Sequence, residues 1–352
     1  MKIGNKTIGG ENPCFIIAEL SANHNGDLNV AIETIRAAKK TGADAIKLQT
    51  YTPDTLTIDC DNKHFKIAEG TLWDGKTLYE LYGEAYTPWE WHKKLFEVAE
   101  EEGLICFSSP FDKTAVDFLE ELNVPAYKIA SFEIQDIPLI EYAASKGKPI
   151  IISTGIAEEE DIKLAVDTCR NVGNNDIILL KCTSSYPAPL ELANLNTIPD
   201  LKKRFNVEVG FSDHTYGALA PTIATTLGAK VIEKHFIMDK SIGGPDADFS
   251  LDVNEFTDLV NKVRDTEKLL GKISYQISEK VNKNRKFARS LFVIENVKQG
   301  EIITENNVRS IRPGYGLHPK YFNDILGKKF VKNVDRGEPL ALDMIENLSK
   351  NL

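Results

Sequence analysis

Two lysines stand in apolar settings: Lys47 in Ala45-Ile46-Lys47-Leu48-Gln49 and Lys128 in Ala126-Tyr127-Lys128-Ile129-Ala130. An ammonium taken out of water costs several kcal/mol unless a partner meets it, so each needs a carboxylate or an anion. Glu19 and Glu133 close apolar runs of their own and could make internal ion pairs with them. Two inward lysines accompanied by Ser109, Ser131, Ser153, Ser184 and Ser212 describe instead a pocket for phosphate and carboxylate, because bare ammonium groups would repel one another. A second cluster rests on His214 and His235, with Glu233 two positions before His235 and hence on the same face of a strand. Two imidazoles can converge on one divalent ion and leave oxygen positions for substrate and water. Lacking a third histidine, the set suits an exchangeable Mn²⁺ or Mg²⁺ acting as Lewis acid better than a tight zinc site. His24 is placed to orient Glu19 or to line the site. His64, His92 and His318 have no partner in the sequence and are expected at the surface.

Residues so far apart can meet only if the fold gathers them. Short apolar runs alternate with longer amphipathic ones in a sustained βα rhythm, the signal of a parallel sheet. The strands are expected at Phe15–Glu19, Ala45–Thr50, Leu104–Phe107, Ala126–Ile129, Pro149–Ser153, Ile177–Lys181, Val207–Phe211 and Lys230–Phe236. βα units repeated over about 270 residues match a (β/α)₈ TIM barrel, with an open doubly wound sheet as the alternative. In a barrel, chemistry projects from the carboxyl ends of the strands, and that is where these polar residues lie. Lys47 and Gln49 share a face, and Lys181, Thr183, Ser184 and Tyr186 follow one strand. Helix starts are expected at Asp27 and at Thr87-Pro88-Trp89-Glu90, the latter as a capping box with proline at the first helical position. A long loop from Tyr51 to Tyr86, carrying Trp73, interrupts the rhythm and is expected to form binding surface or lid.

The charged stretch 278–289 reads as a linker between a barrel at 1–277 and a small, mainly β domain at 290–352. That domain holds a weak repeat, Asn296-Val297-Lys298-Gln299-Gly300-Glu301 echoed by Asn333-Val334-Asp335-Arg336-Gly337-Glu338. About 60 residues make a marginal core, so a packing partner is expected. The 352 residues carry 42 Lys+Arg against 52 Asp+Glu, a net charge of -10, with no basic run, which makes nucleic acid and anionic membrane poor partners. No apolar run approaches the roughly 20 residues of a membrane span, and MKIGNKTIGG lacks a signal-peptide core, so a cytoplasmic protein is expected. Five cysteines with no CxxC suit reduced thiols. Gly243-Gly244-Pro245-Asp246 lacks the Lys-Ser/Thr of a nucleotide-binding loop, and Ser153-Thr154-Gly155 is no nucleophile elbow.

Taken in order, Glu19-Leu20-Ser21-Ala22-Asn23-His24-Asn25-Gly26, Lys47-Leu48-Gln49, Tyr127-Lys128-Ile129-Ala130-Ser131-Phe132-Glu133, Ser212-Asp213-His214-Thr215, Glu233-Lys234-His235-Phe236, Gly244-Pro245-Asp246 and Arg312-Pro313-Gly314 resemble the sialic acid synthase family. The resemblance spans nearly the whole chain, including a tail similar to an antifreeze-like (SAF) domain. Trp73-Asp74-Gly75-Lys76 and Arg312-Pro313-Gly314-Tyr315-Gly316 resemble the pseudaminate branch more than the N-acetylneuraminate one. The resemblance implies condensation of phosphoenolpyruvate with an open-chain acetamido sugar, for this branch 2,4-diacetamido-2,4,6-trideoxy-L-altrose, with release of phosphate. It implies a metal at His214 and His235, with Glu233 contributing directly or through a neighbour. It places Lys47, Ser109, Lys128, Ser131, Ser184 and Ser212 at the phosphoenolpyruvate, Ser184 standing where the family often has Asn. Glu19, Glu133, Tyr186 and Asp246 fall at the sugar and reacting carbons. Arg312 is implied to reach the neighbouring subunit's site, hence a domain-swapped homodimer. Legionaminate or N-acetylneuraminate synthesis are alternatives within the family. Outside it stand a class I aldolase with Lys128 as Schiff-base lysine and a non-catalytic glycan-binding protein.

Overall fold

The computed structural model describes residues 1–67 and 74–346. The chain divides into two compact units, Met1–Gly271 and Lys272–Leu352. The first opens with a hairpin of β1 (Lys2–Ile3) and β2 (Lys6–Thr7) that the sequence reading did not assign. The parallel strands β3 (Phe15–Glu19), β4 (Ala45–Thr50), β5 (Ile105–Pro110), β6 (Tyr127–Ile129), β7 (Ile150–Ser153), β8 (Ile177–Cys182), β9 (Glu208–Asp213) and β10 (Val231–His235) then pair in order. β10 returns to β3, so the sheet is the expected closed barrel rather than an open one.

The pleat divides the barrel interior into two layers. Ile17, Ala45, Phe107, Ala126, Ile151 and Val231 belong to one apolar cluster deep in the barrel, which Ile3 and Ile8 of the hairpin segment join. Two residues further along each strand, on the same face, stand Glu19, Lys47, Ser109, Lys128, Ser153 and Glu233. The deep layer stabilises the barrel by roughly 1.5–3 kcal/mol for each fully buried large aliphatic chain. The upper layer is polar and defines the mouth. β5 and β9 outrun their expected ends, taking in Ser108-Ser109-Pro110 and Ser212-Asp213. These residues read as loop because they are polar, but Ser109 and Ser212 have the polar layer to face, while on the outer face Ser108 meets Thr50 and Asp213 meets Lys234.

Around the barrel run α1 (Leu28–Lys40), the short α2 (Pro53–Leu56) and α3 (Leu78–Ala85) of the long loop, then α4 (Trp89–Glu101), α5 (Lys113–Glu121), α6 (Ile137–Ser145), α7 (Glu159–Asn171), α8 (Thr197–Phe205), α9 (Leu219–Thr226) and α10 (Val253–Leu270). Asp27 caps α1 as expected, accepting from the Asn29 amide at 2.7 Å. α4 departs from expectation: Pro88 occupies the cap, no side chain caps the helix, and the Thr87 hydroxyl meets His24 Nε2 at 3.3 Å instead. At the amino end, Arg264 of α10 binds Asp44 at 2.7 Å and the Cys14 carbonyl at 2.6 Å, joining the last helix to the first barrel strand. Cys14, Cys106, Cys169 and Cys182 are buried and Cys60 half-buried, all as free thiols. Trp73 lies outside the described residues. No helix among the described residues is long and apolar enough to cross a membrane.

In the second unit β11 (Ser290–Val293) pairs antiparallel with β12 (Val308–Ile311) over its own core, which includes Leu291, Val293, Ile303, Val308, Ile325 and Phe330. The two halves of the sequence repeat bind each other. Val297 and Val334 exchange backbone hydrogen bonds of 2.9 and 3.0 Å, Asn333 accepts from the Gln299 amide at 2.9 Å, and Asn296 accepts from the Arg336 amide at 2.8 Å.

Candidate active site in the barrel mouth

Strand register assembles the site. His235 lies opposite Glu19, Glu19 opposite Lys47, and Glu233 opposite Ser212. Lys47 Nζ meets Glu19 Oε2 at 2.5 Å and donates to Ser109 Oγ at 3.3 Å, both chains being almost wholly buried. Gln49 donates to Glu19 Oε1 and to Ser21 Oγ, each at 3.0 Å. Lys128 does not find its ion pair in Glu133: its Nζ lies 3.8 Å from Glu233 Oε1 and donates to the Ile129 carbonyl at 3.0 Å. Glu233 Oε1 accepts from Ser212 at 3.0 Å, and Oε2 lies 3.9 Å from Lys47. Glu233 therefore serves as counter-ion between the two lysines, with its carboxylate turned to them rather than built into a cage with the histidines.

These contacts set the charges. Burial pushes the Glu19 carboxyl up to about 7, with Lys47 pulling the other way. Burial likewise lifts Glu133 to about 7 against Lys128, and its Oε2 is buried with no hydrogen-bond partner. Burial opposes the charge on Glu233 too, yet Lys128 and Lys47 outweigh it and hold that carboxyl below its ordinary value. Burial lowers the Lys128 ammonium, whereas at Lys47 the pull of Glu19 and Glu233 wins over burial and raises it.

Two of the serines, Ser131 and Ser184, gather around Gly155, just after β7. The Gly155 amide donates to Ser131 Oγ at 3.1 Å. A β-carbon there would stand 2.1 Å from Ser184 Oγ, 2.7 Å from Ser131 Oγ and 3.1 Å from Cys182 Sγ, so only glycine lets the three side chains close in. Ser153 and Ser184 keep buried hydroxyl oxygens without hydrogen-bond partners. A mouth that holds two buried lysines and unpaired buried hydroxyls is suited to an anion's oxygens.

His214 and His235 sit side by side, ring centroids 5.4 Å apart, with Tyr186 4.3 Å from the first and Phe249 5.0 Å from the second. His214 Nδ1 lies 3.0 Å from the Thr183 carbonyl, which can only accept, so in the neutral ring Nε2 keeps its lone pair. Burial opposes a charge on His214, but the negative charge of a Cys182 thiolate beside it raises its proton affinity; burial opposes that thiolate too, yet His214 outweighs it and brings the thiol down to about 7. His235 is held neutral by burial and by repulsion from His214 and Lys47, and its Nδ1 has no hydrogen bond. Asp246 Oδ2 approaches His235 Nδ1 to 3.8 Å and accepts from Ser21 Oγ. Among the described residues no three His, Cys, Asp or Glu side chains form a metal cage. Two adjacent imidazoles, His214 with the lone pair left on Nε2 and His235 held neutral, still fit a divalent ion that takes its other ligands from substrate and water.

Other expectations sort differently. His24 makes its contacts away from Glu19: it accepts from the Gly26 amide at 3.1 Å and packs edge-on to Trp91. His92 is wholly buried, contrary to its expected surface place, bonded to Thr50 Oγ1 at 2.8 Å and the Pro88 carbonyl at 3.2 Å. Its signal was position, since it falls on the barrel-facing stripe of α4 with Leu95 and Ala99. His64 and His318 are exposed. Arg312 follows β12 in the second unit and is exposed. Residues to which the sequence reading gave no role include Gly155, Cys182, Phe249, and the outward-facing, buried Lys234, which binds Asp213 at 2.5 Å. A cavity of about 630 Å³ is lined by Asn25, Lys76, Glu84, Pro245 and Asp248, so the long loop forms part of its wall.

A model of the NeuB family matches residues 34–275, and one of the SAF domain matches residues 288–346. The chain is 52% identical over 340 residues to the pseudaminic acid synthase of Campylobacter jejuni, covering 97% of this chain and 98% of that protein. It is 51% identical over 335 residues to the pseudaminic acid synthase of Helicobacter pylori, covering 95% and 98%. The crystal structure of the spore coat polysaccharide biosynthesis protein spsE of Bacillus subtilis matches with a TM-score of 0.68 at 35% identity over 99% of both chains. With a family model over most of its barrel and such relatives along nearly its full length, this chain belongs to the NeuB family.

Proposed function

We propose that the protein condenses phosphoenolpyruvate with 2,4-diacetamido-2,4,6-trideoxy-L-altrose to give pseudaminic acid and phosphate. The observation that carries this is the meeting, in one mouth, of a lysine–serine anion pocket with a histidine pair across the register His235, Glu19, Lys47. Identity of 51 to 52% with two pseudaminic acid synthases supports the choice of sugar.

Lys47, Lys128 and the serines near Gly155 hold the phosphate and carboxylate and fix the angle of the enol. Glu233 keeps both ammonium groups charged and apart before substrate arrives. His214 and His235 would hold a divalent ion, which when bound supplies Lewis-acid polarisation of the sugar aldehyde. Attack of the enol carbon on that aldehyde leaves the former enol C2 electron-poor. Water adds to it, and collapse of the tetrahedral centre breaks the C–O bond and frees phosphate. Glu133 is the better placed base for that water, because its buried Oε2 has no hydrogen-bond partner, whereas at Glu19 Oε2 is held in the Lys47 ion pair and Oε1 accepts from Gln49. The cavity lined by Asn25, Lys76 and Pro245 takes the far end of the sugar. Arg312 reaches the barrel of a second copy of the chain, so that the working form is a domain-swapped homodimer.

The test is phosphate release from phosphoenolpyruvate with Mn²⁺ and each candidate sugar in turn. The 2,4-diacetamido L-altrose should be used fastest and chelation should abolish its use. Faster turnover of N-acetylmannosamine or of the legionaminate precursor would overturn the sugar assignment. Chelator-resistant turnover with borohydride trapping on Lys128 would overturn the mechanism.

A further inference from the structure

The two histidines are held in different ways. His214 is fixed by its hydrogen bond to the Thr183 carbonyl at 3.0 Å. His235 has no such anchor on Nδ1, and Asp246 at 3.8 Å is beyond hydrogen-bond reach. Ligating imidazoles are ordinarily oriented by a hydrogen bond from the ring nitrogen that does not bind the ligand, so a ring without one needs another restraint. Here packing provides it. Phe249 meets the His235 ring edge to face at 5.0 Å and 71° and also touches Tyr186 at 5.2 Å. Phe249 is 3% exposed and so has little room to move.

The turn carrying Phe249 is itself stapled. Ser250 Oγ donates to the Asp246 carbonyl at 2.6 Å and accepts from Asn23 Nδ2 at 2.8 Å. Asn23 Nδ2 also donates to the Phe236 carbonyl at 2.9 Å, next to His235 itself. Asn23 and Ser250 are wholly buried, and Leu251 bridges Phe236. A single turn thus brings both Asp246 and Phe249 to His235, and Asn23 ties that turn to the end of β10.

We propose that Phe249 is a positioning residue that sets the plane of the His235 imidazole, with the Asn23–Ser250 hydrogen bond as the staple that holds it there. The proposal rests on the reading of the mouth given above but concerns the ring rather than its ligand. Crystal structures of the metal-free parent and of Phe249→Leu test it directly: the His235 ring should be ordered in the parent and rotated or split between conformers in the variant. An ordered, unrotated His235 in Phe249→Leu would overturn the proposal. Titration of Mn²⁺ alone, followed by the signal of the free ion, should show about tenfold weaker uptake in the variant. Turnover should fall by a similar factor while KM for phosphoenolpyruvate stays within about twofold, a split that general loosening of the barrel would not give. A rotated ring with unchanged Mn²⁺ uptake would uphold the positioning role and sink His235 as a metal ligand. Should Phe249→Leu not fold, Ser250→Ala carries the same readouts in the same direction, and an unmoved ring there would overturn the staple and with it the proposal.

Discussion

Glu133, like Glu19 and unlike Glu233, has its charge opposed by burial and only partly restored by a lysine, here Lys128. Its folded value of about 7 stands above the ordinary 4.5, so its contribution to stability is complete below about 4.5 and is lost as pH rises through 7. Above that point the buried charge costs up to about 3 kcal/mol. Glu133→Gln should therefore match the parent in urea unfolding at pH 5 and exceed it at pH 8. Its pH–rate profile should also lose the limb that rises near neutrality, if water is activated at this carboxylate. Equal stability at both pH values would show that the group is not buried as charge. The two lysines were legible in the sequence because a charge inside an apolar run has few explanations. The allegiance of Glu233 was not. A period of two places Glu233 and His235 on one face, but only the stagger of β9, β10 and β4 decides that the carboxylate turns to Lys47 and Lys128.

Strands carry the polar layer, and the turns after them decide how closely it can gather. Gly155 illustrates the point: its backbone needs no positive φ, so alanine is acceptable to the chain, yet a β-carbon would intrude on Ser131, Ser184 and Cys182. Gly155→Ala should leave a cooperative fold and raise KM for phosphoenolpyruvate about tenfold or more, since Ser184 and Ser131 must shift to clear the methyl group. An unchanged KM would mean that these hydroxyls do not hold the anion. Element order and every barrel strand were readable from apolar runs, whereas the ends of β5 and β9 were not, because a serine in a ladder and a serine in a loop look alike until the barrel closes. His92 escaped for a related reason. The stripe of α4 gave its place but not its partners: the bonds of the buried imidazole to Thr50 and a backbone carbonyl exist only once α4 is laid on β4.

Over the whole molecule the repeat Asn296–Glu301 and Asn333–Glu338 was visible as sequence, and its meaning as two turns that cap each other came only with their pairing. That closed core, with Leu291, Ile303 and Phe330 at its centre, weakens the argument that so small a domain must lean on a partner for stability. The reading in which Arg312 serves a second copy must then be tested through function, and two inactive variants suffice. Lys128→Met removes an ammonium from the mouth, and Arg312→Ala removes the guanidinium. If the arginine acts across a dimer, a mixed dimer has one site with both lesions and one with neither. Co-expression in equal amounts makes half the dimers mixed, so turnover should recover to about a quarter of the parent's per site. Sedimentation of the parent should show a dimer at the same concentration. If each chain's arginine served its own barrel, every site would keep one lesion, and the mixture would stay as inactive as its components.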